Sequence, residues 1–315
     1  MAKENVNILI TGGAGYIGSI LTPALLNEGH KVTVIDNFMY NQASLLDCTY
    51  NPKLEIVRGD IRNRELIKEH IKNTNVIIPL ACLVGAPLCE KDPIGAKTIN
   101  YDAIKNILEF RSPSQKIIFP TTNSGYGIGQ DDVYCTEETP LNPLSLYGKL
   151  KVDIEKELLN SGNCVTLRLA TVFGTSPRMR MDLLVNDFTY RAVMDRAVVI
   201  FEGHFKRNYI HVRDVARCFI HCIDNISDMI NEPYNVGLSN ANFSKLELCE
   251  EIKKVVPRFV YLESKIGEDI DKRDYIVSNN KIEGTGFSAK YSIRQGIEEL
   301  VKGYQIIRKN QYSNI

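Results

Sequence analysis

The chain has 315 residues, 44% of them hydrophobic, with 38 Lys and Arg balancing 38 Asp and Glu. That length and composition fit one large globular domain or two unequal ones. A net charge of zero supplies no field to attract nucleic acid or an anionic membrane, and no apolar run reaches transmembrane length, so neither partner is expected.

Val6 to Gly18 reads V-N-I-L-I-T-G-G-A-G-Y-I-G. Val6, Ile8, Leu9 and Ile10 have the composition of a fully buried parallel strand. Thr11 opens a glycine turn, and an apolar helix follows through Ile17, Ile20, Leu21, Leu25 and Leu26. Gly12 permits the tight turn, Gly15 lets a pyrophosphate approach the backbone, and Gly18 lets the helix pack on the strand. The first-turn N–H groups, around Tyr16 and Ile17, then face a dinucleotide phosphate. Lys31–Ile35 makes a second strand ending at Asp36, with Asn37 next. A carboxylate there accepts from both adenosine ribose hydroxyls and repels a 2′-phosphate, which favours NAD over NADP.

Leu54–Val57 leads as a strand into Gly59-Asp60-Ile61, where Asp60 is placed for the adenine amino group and Ile61 for its face. The competing role for Asp60 is to cap the helix from Arg64 to Ile71. The strand Val76–Ile78 ends in Pro79-Leu80-Ala81-Cys82, small residues that let backbone pass close to the cofactor. A helix is expected over Pro93 to Phe110 with Asn100 as its isolated polar member, then a strand at Lys116–Phe119. A helix over Leu144 to Leu159 and a strand at Cys164–Leu169 complete the alternation. Repeated β–α units imply an α/β, Rossmann-type doubly wound parallel sheet, with ligands at the carboxyl edge where strand order reverses.

Beyond Arg168 the alternation fades. Helices are expected at Met181–Met194, Val212–Ile223, from Ser244 to Val255 and over Ser292–Ile306, with a strand at Val198–Phe201. The expected division is an NAD-binding domain over residues 1–172, to which a segment near 208–232 returns. The rest of 173–315 forms a smaller mixed α/β domain for the substrate. Eight irregularly spaced cysteines are expected as thiols; Cys218, His221 and Cys222 are too few to hold a metal, and none is expected. Met1-Ala-Lys-Glu leads straight into a strand, so no secretory leader and a cytoplasmic location are expected.

Tyr147-Gly-Lys-Leu-Lys151 opens a helix, and residues four apart share one face, so phenol and ammonium can address one cofactor. A free tyrosine, with a pKa near 10, is only about 0.1% ionised at neutral pH. The Lys151 ammonium and an oxidised nicotinamide would both favour phenolate; bringing the pKa down by two to three corresponds to roughly 3–4 kcal/mol. Tyr147 could then take a hydroxyl proton while the carbinol hydride leaves. Thr122, just past a strand end in Thr121–Gly127, can reach the same oxygen; the plainer role for its hydroxyl is to stabilise the turn.

On these residues the chain resembles the extended short-chain dehydrogenase/reductases, the nucleotide-sugar epimerase and dehydratase family. The resemblance covers nearly the whole chain. It takes in the glycine motif, Asp36, Gly59-Asp60, Leu80-Ala81, Asn100, Thr121–Gly127, Tyr147/Lys151 and Arg207–Asp214. It implies NAD in the larger amino-terminal domain and a nucleotide-diphosphate sugar beneath the smaller one. Tyr147 would be the base, Lys151 would hold the nicotinamide ribose, and Thr122 would take the place of the usual Ser or Thr. Leu80, Ala81, Cys82, Asn100 and Val172 join the expected cofactor contacts, and Val84, Asn123 and Ser124 the substrate contacts. Arg207 and Arg273 match arginines that grip the diphosphate, whose oxygens suit guanidinium forks. A homodimer through the helices at 93–110 and 144–159 is implied as well.

Two departures matter. The family's 4,6-dehydratases carry Asp-Glu after that Thr, whereas Asn123-Ser124 stands here; neither moves protons near neutral pH, which disfavours dehydration. The usual Ala-Ala is Ala81-Cys82. The segments Leu83–Leu88, Thr121–Gly129 and Ser176–Arg180 are similar to a subgroup containing GDP-heptose 4-dehydrogenases. The expectation is therefore oxidation at C4 of a GDP-linked sugar, with Arg178 and Arg180 on the nucleotide. A 4-epimerase is the alternative. A non-catalytic NAD(H) sensor or scaffold is a further one, though it would not require Tyr147, Lys151 or Thr122.

Overall fold

The β-branched runs assemble as expected into one sheet. The computed structural model describes residues 5–130, 132–267 and 272–307. Its main strands are β1 (Asn7–Thr11), β2 (Lys31–Asp36), β3 (Leu54–Arg58), β4 (Val76–Pro79), β5 (Lys116–Thr122), β6 (Cys164–Leu169) and β7 (Pro233–Val236). All pair in parallel, in the order β3-β2-β1-β4-β5-β6-β7. The chain winds outward from β1 to β3 and crosses back to β4, so strand order reverses between β1 and β4. A crevice opens there at the carboxyl ends.

Four helices matter most: α1 (Gly18–Asn27), α2 (Leu146–Ser161), α3 (Val212–Asp224) and α4 (Ile293–Ile306). Ile8 and Ile10 of β1 pack on one face with Leu21 and Leu25 of α1 and Val215 and Phe219 of α3. Leu9 faces the other side, with Ile67, Ile107, and Ile154 and Leu158 of α2. A strand buried on both faces carries no polar alternation, which is why β1 reads as a continuous apolar run. Gly18 is required for that packing, because a Cβ there would lie 2.6 Å from the Gly13 backbone. Among the described residues no helix is long and apolar enough to cross a membrane.

Several elements depart from the sequence expectation. The segment returning to the large sheet includes α3 but runs on to β7, past the expected limit at residue 232. β7 is short, and its Asn235 is a buried polar residue held by Tyr126, so no apolar run announces it. Residues 208–211 do not return; Lys206–His211 pairs instead with Thr171–Phe173 and Asn242–Ser244 in a three-stranded sheet. The expected single helix at 93–110 is Pro93–Lys97, a π-helical stretch at Thr98–Asp102 and Ala103–Phe110. The wider turn re-aims Asn100.

The smaller part has its own core, in which Phe173, Phe188, Tyr209, Leu248 and Leu300 are buried together. α4 closes it, opened by a capping box between Ser292 and Gln295. Glu299 on α4 lies 3.2 Å from His211 and bonds both the backbone and the hydroxyl of Thr175. Burial pushes its carboxyl up, but hydrogen bonds from His211 and Thr175 outweigh that and bring it down to about 2. A depressed carboxylate adds stability above its unfolded pKa of about 4.3 and loses it as pH falls through the folded value. The stability difference between the unsubstituted chain and Glu299→Gln should therefore be flat above pH 5 and shrink between about pH 4 and pH 2, as read by denaturant titration.

Ser145 caps α2, accepting from the Gly148 N–H. Tyr147, Lys151 and Glu155, at successive steps of four, share the face turned to the sheet. Glu155 accepts from Thr121 Oγ1 at 2.7 Å and from Arg168 at 2.7 and 3.0 Å, with both partners of the ion pair buried. Glu155→Ala should cost about 3–5 kcal/mol, because it strands a buried guanidinium. Arg168→Met in that background should restore part of the loss in Tm.

Candidate active site

The crevice at the switch point holds about 710 Å³, counting space open to solvent, and reaches from Asp36 to Leu83. Gly12, Gly15, Asp36, Asn37, Asp60, Ile61, Leu80, Ala81 and Cys82, all expected from sequence as cofactor contacts, line it together. Gly12 adopts φ +73°, and a Cβ there would strike the Ala81 backbone at 2.5 Å, so the turn closes only on glycine. Asp36 is fixed by the N–H groups of Ala14 (2.9 Å) and Phe38 (2.8 Å), one to each carboxylate oxygen. Each oxygen keeps a lone pair for a ligand hydroxyl.

Other expected contacts are placed differently. The Tyr16 phenol is buried and donates to the Gly174 carbonyl at 2.7 Å, so only its backbone can serve a phosphate. Among the described residues, the N–H groups of Tyr16 and Ile17 find no backbone acceptor, which suits an anion at the start of α1. Asn100 is buried and clamps Leu83, accepting from its N–H at 2.8 Å and donating to its carbonyl at 2.9 Å. It shapes the cleft wall rather than touching the cleft. Val172 sits in the three-stranded sheet, packed against the main core and outside the cleft lining. Asp60 is gripped by Arg62 at 2.6 and 2.9 Å, and that hydrogen bonding holds its carboxyl below the usual range. It does not cap the following helix; Asn63 does.

The expected electrostatics at Tyr147 need correction. Lys151 is buried, its ammonium donating to the Pro120 carbonyl at 2.9 Å and lying 4.4 Å over the Phe119 ring. Burial dominates at Tyr147 and pushes its phenol well above the ordinary value; the charges opposing this are Arg180 and Arg273. Lys151 acts instead on Cys82, whose thiol is raised by burial and partly held down by that ammonium. Cys82 also lines the cofactor cleft.

Thr122 does perform the turn-stabilising role. Its hydroxyl accepts from the Ser124 N–H and donates to Ser124 Oγ at 2.9 Å. Ser124 also accepts from Arg273. Asn123 is buried beside them, with neither amide atom partnered among the described residues. Val84 is half-buried in the loop after Leu83. Burial raises the Tyr209 phenol, with the charges of Arg207 and Arg273 opposing it, and Arg273 is also among the charges opposing the rise at Tyr147. Arg180 forms a buried fork with Asp182. Arg178, expected on the substrate, lines the cofactor cleft instead.

Sequence reasoning missed Tyr40 and Gln42, which also line the cleft, and the Glu155–Arg168 pair behind α2. Tyr40 and Gln42 lie in an irregular loop with no motif. Glu155 carried a usable signal, since it continues the step of four from Tyr147 and Lys151.

A parallel sheet with a glycine turn, an acidic β2 end and a Tyr/Lys helix defines a dinucleotide-dependent oxidoreductase. The comparisons narrow this. Residues 8–237 match the NAD dependent epimerase/dehydratase family, and the chain belongs to it. It is an enzyme of the extended short-chain dehydrogenase/reductase type, with NAD as its cofactor. It is 26% identical to UDP-glucuronic acid decarboxylase 1 of Arabidopsis thaliana, across 97% of this chain and 71% of that protein. It is 27% identical to a putative UDP-glucose 4-epimerase of Methanocaldococcus jannaschii, across 93% and 97%. The fold matches the UDP-glucuronic acid 4-epimerase of Bacillus cereus at a TM-score of 0.83 and 23% identity, over 96% of this chain and 99% of that one.

Asp36→Ala should weaken NAD binding about tenfold and reduce the preference for NAD over NADP, since it removes an acceptor and a negative charge together. The ratio of the two dissociation constants checks this.

Proposed function

We propose that the chain oxidises C4 of a nucleotide-diphosphate sugar and then reduces the ketone on its opposite face, as a nucleotide-sugar 4-epimerase. The observation that carries this is the shared face of Tyr147 and Lys151 on α2, with the Lys151 ammonium bonded to the Pro120 carbonyl near the carboxyl end of β5. Bound NAD supplies a hydride acceptor. Tyr147 takes the C4 hydroxyl proton and later returns it, so atoms balance over the cycle. Thr122 and Ser124 orient the hydroxyl, and Lys151 holds the nicotinamide ribose. Arg207 and Arg273 hold the diphosphate beneath the smaller part, formed by 173–315 outside the returning segment.

The relatives fit one shared intermediate. A ketone at C4 is β to a carboxylate at C6, so it can lose carbon dioxide; it can also be reduced from the other face. Water loss needs a carboxyl pair that Asn123-Ser124 does not supply. A second reading is favoured by the resemblance of Leu83–Leu88, Thr121–Gly129 and Ser176–Arg180 to GDP-heptose 4-dehydrogenases: the sugar is GDP-linked and the ketone is released. A homodimer through the helices at 93–110 and 144–159 belongs to the same proposal; Ile94 is exposed there.

Incubation with UDP-, dTDP- and GDP-linked sugars, following absorbance at the NADH band and C4 configuration, decides between these readings. Inversion without net NADH is expected. NADH accumulating with a GDP-heptose would favour the dehydrogenase, and no hydride exchange with any sugar would favour the sensor. Tyr147→Phe should lower kcat by at least about a thousandfold while NAD stays bound.

A further inference from the structure

Past the end of β5 the chain makes a tight turn over Asn123–Tyr126 beside the start of α2. A Cβ added at Gly148, the residue after Tyr147, would lie 3.5 Å from the Ser124 carbonyl. Ser124 therefore sits against the turn of α2 that carries the phenol. Thr122 Oγ1 accepts from the Ser124 N–H at 3.1 Å and donates to Ser124 Oγ at 2.9 Å. The Arg273 guanidinium donates to the same Ser124 oxygen. A hydroxyl has one proton and two lone pairs. Ser124 thus has both lone pairs filled and, among the described residues, no acceptor for its proton. Thr122 is the reverse case: its proton is spent on Ser124, and one lone pair remains.

A second observation in the same turn points to a ligand. Asn123 is 1% exposed, and both its amide oxygen and its amide nitrogen are buried without a partner among the described residues. Such atoms are costly unless a polar ligand or ordered water meets them. A hydroxyl-rich ligand offers acceptors for the Asn123 nitrogen and the Ser124 proton, and donors for the Asn123 oxygen and the Thr122 lone pair. Charge then separates the two hydroxyls. An oxygen that accepts from a guanidinium is the stronger donor through its own proton, and hydrogen bonds in a chain reinforce one another. Arg273 and Thr122 both point into Ser124, so both polarise the one proton left over.

We propose that Ser124, and not Thr122, is the hydroxyl that donates to the C4 oxygen of the sugar, with Thr122 and Arg273 as the residues that aim and polarise it. This rests on the proposed oxidation at C4, and it moves the donor away from the position that the family resemblance gives it. In that oxidation the C4 hydroxyl passes its proton to Tyr147 and its hydride to bound NAD; on the return, hydride adds to the carbonyl and Tyr147 gives the proton back. Ser124 keeps its O–H bond throughout. It contributes a hydrogen bond to an oxygen whose negative charge is greatest between alcohol and ketone.

The test measures kcat and KM on the full chain with whichever UDP-, dTDP- or GDP-linked sugar it turns over fastest, with NAD affinity followed in parallel. Ser124→Ala should lower kcat by about a hundredfold while KM stays within about threefold, because the lost bond is made in the transition state. Thr122→Val keeps the branched shape and leaves Ser124 its bond from Arg273, so kcat should fall by less than about tenfold. Ser124→Cys, similar in volume but a weaker donor, should fall between the two, and it carries the test should Ser124→Ala fold poorly. A loss of about a hundredfold in Thr122→Val, with less than about tenfold in Ser124→Ala, would overturn the proposal and return the donor to Thr122. A raised KM with unchanged kcat in Ser124→Ala would overturn it as well, since the bond would then be made equally before reaction. No hydride exchange by the unsubstituted chain with any of these sugars, while NAD is bound, would overturn the C4 reading itself and the donor with it.

Discussion

The buried pair of Glu155 and Arg168 fixes the helix on which the chemistry depends. Charges taken out of water are tolerated only when every remaining lone pair and proton is met. Here Glu155 also accepts from Thr121, and Arg168 also donates to the Tyr126 hydroxyl and the Glu137 carbonyl. Tyr126 in turn donates to Asn235 on β7. One network therefore joins β5, α2, β6 and β7. Lys151, one turn nearer the cleft, adds a bond to the Pro120 carbonyl. With 1.5 Å of rise per residue, Tyr147 stands about 12 Å along α2 from Glu155, and its place follows from anchors outside the reacting centre.

That placement has an electrostatic consequence. The chain's own groups leave the Tyr147 phenol protonated, because burial outweighs Arg180 and Arg273. Any positive charge brought into the cleft would act in the direction that burial opposes. Cys82 lines the same cleft, where burial raises its thiol and the Lys151 ammonium opposes that rise. Readiness to accept a proton is thereby tied to occupation of the cleft rather than built permanently into the helix.

The sequence made the nucleotide half of the fold legible for a physical reason. A strand buried on both faces must be continuously apolar, a turn packed on backbone must be glycine, and a phosphate site must follow it, so local composition carries global structure there. The smaller part obeys no such rule. Its strand Lys206–His211 is almost wholly buried yet built of K-R-N-Y-I-H, because its polar side chains bond across layers that sequence does not reveal. The same holds for Asn100, whose amide reads as a cofactor contact until the π-helical turn is seen to aim it at Leu83. Arg178 illustrates a related limit. Resemblance put it on the substrate's nucleotide, while its loop is sewn to the glycine turn by serine hydroxyls that follow no motif.

If the proposed oxidation at C4 takes place, few exits remain for the ketone. Elimination needs a proton acceptor at C5 and a donor at the leaving oxygen, and Asn123-Ser124 supplies neither near neutral pH. On the reading proposed above, a ketone that is released leaves the reduced cofactor to be reoxidised by a second substrate, whereas reduction in place returns the hydride to the sugar that gave it. The amide and hydroxyl beside Thr122 remove elimination and leave these two outcomes, so the choice between them turns on the substrate rather than on an acid–base pair at this position.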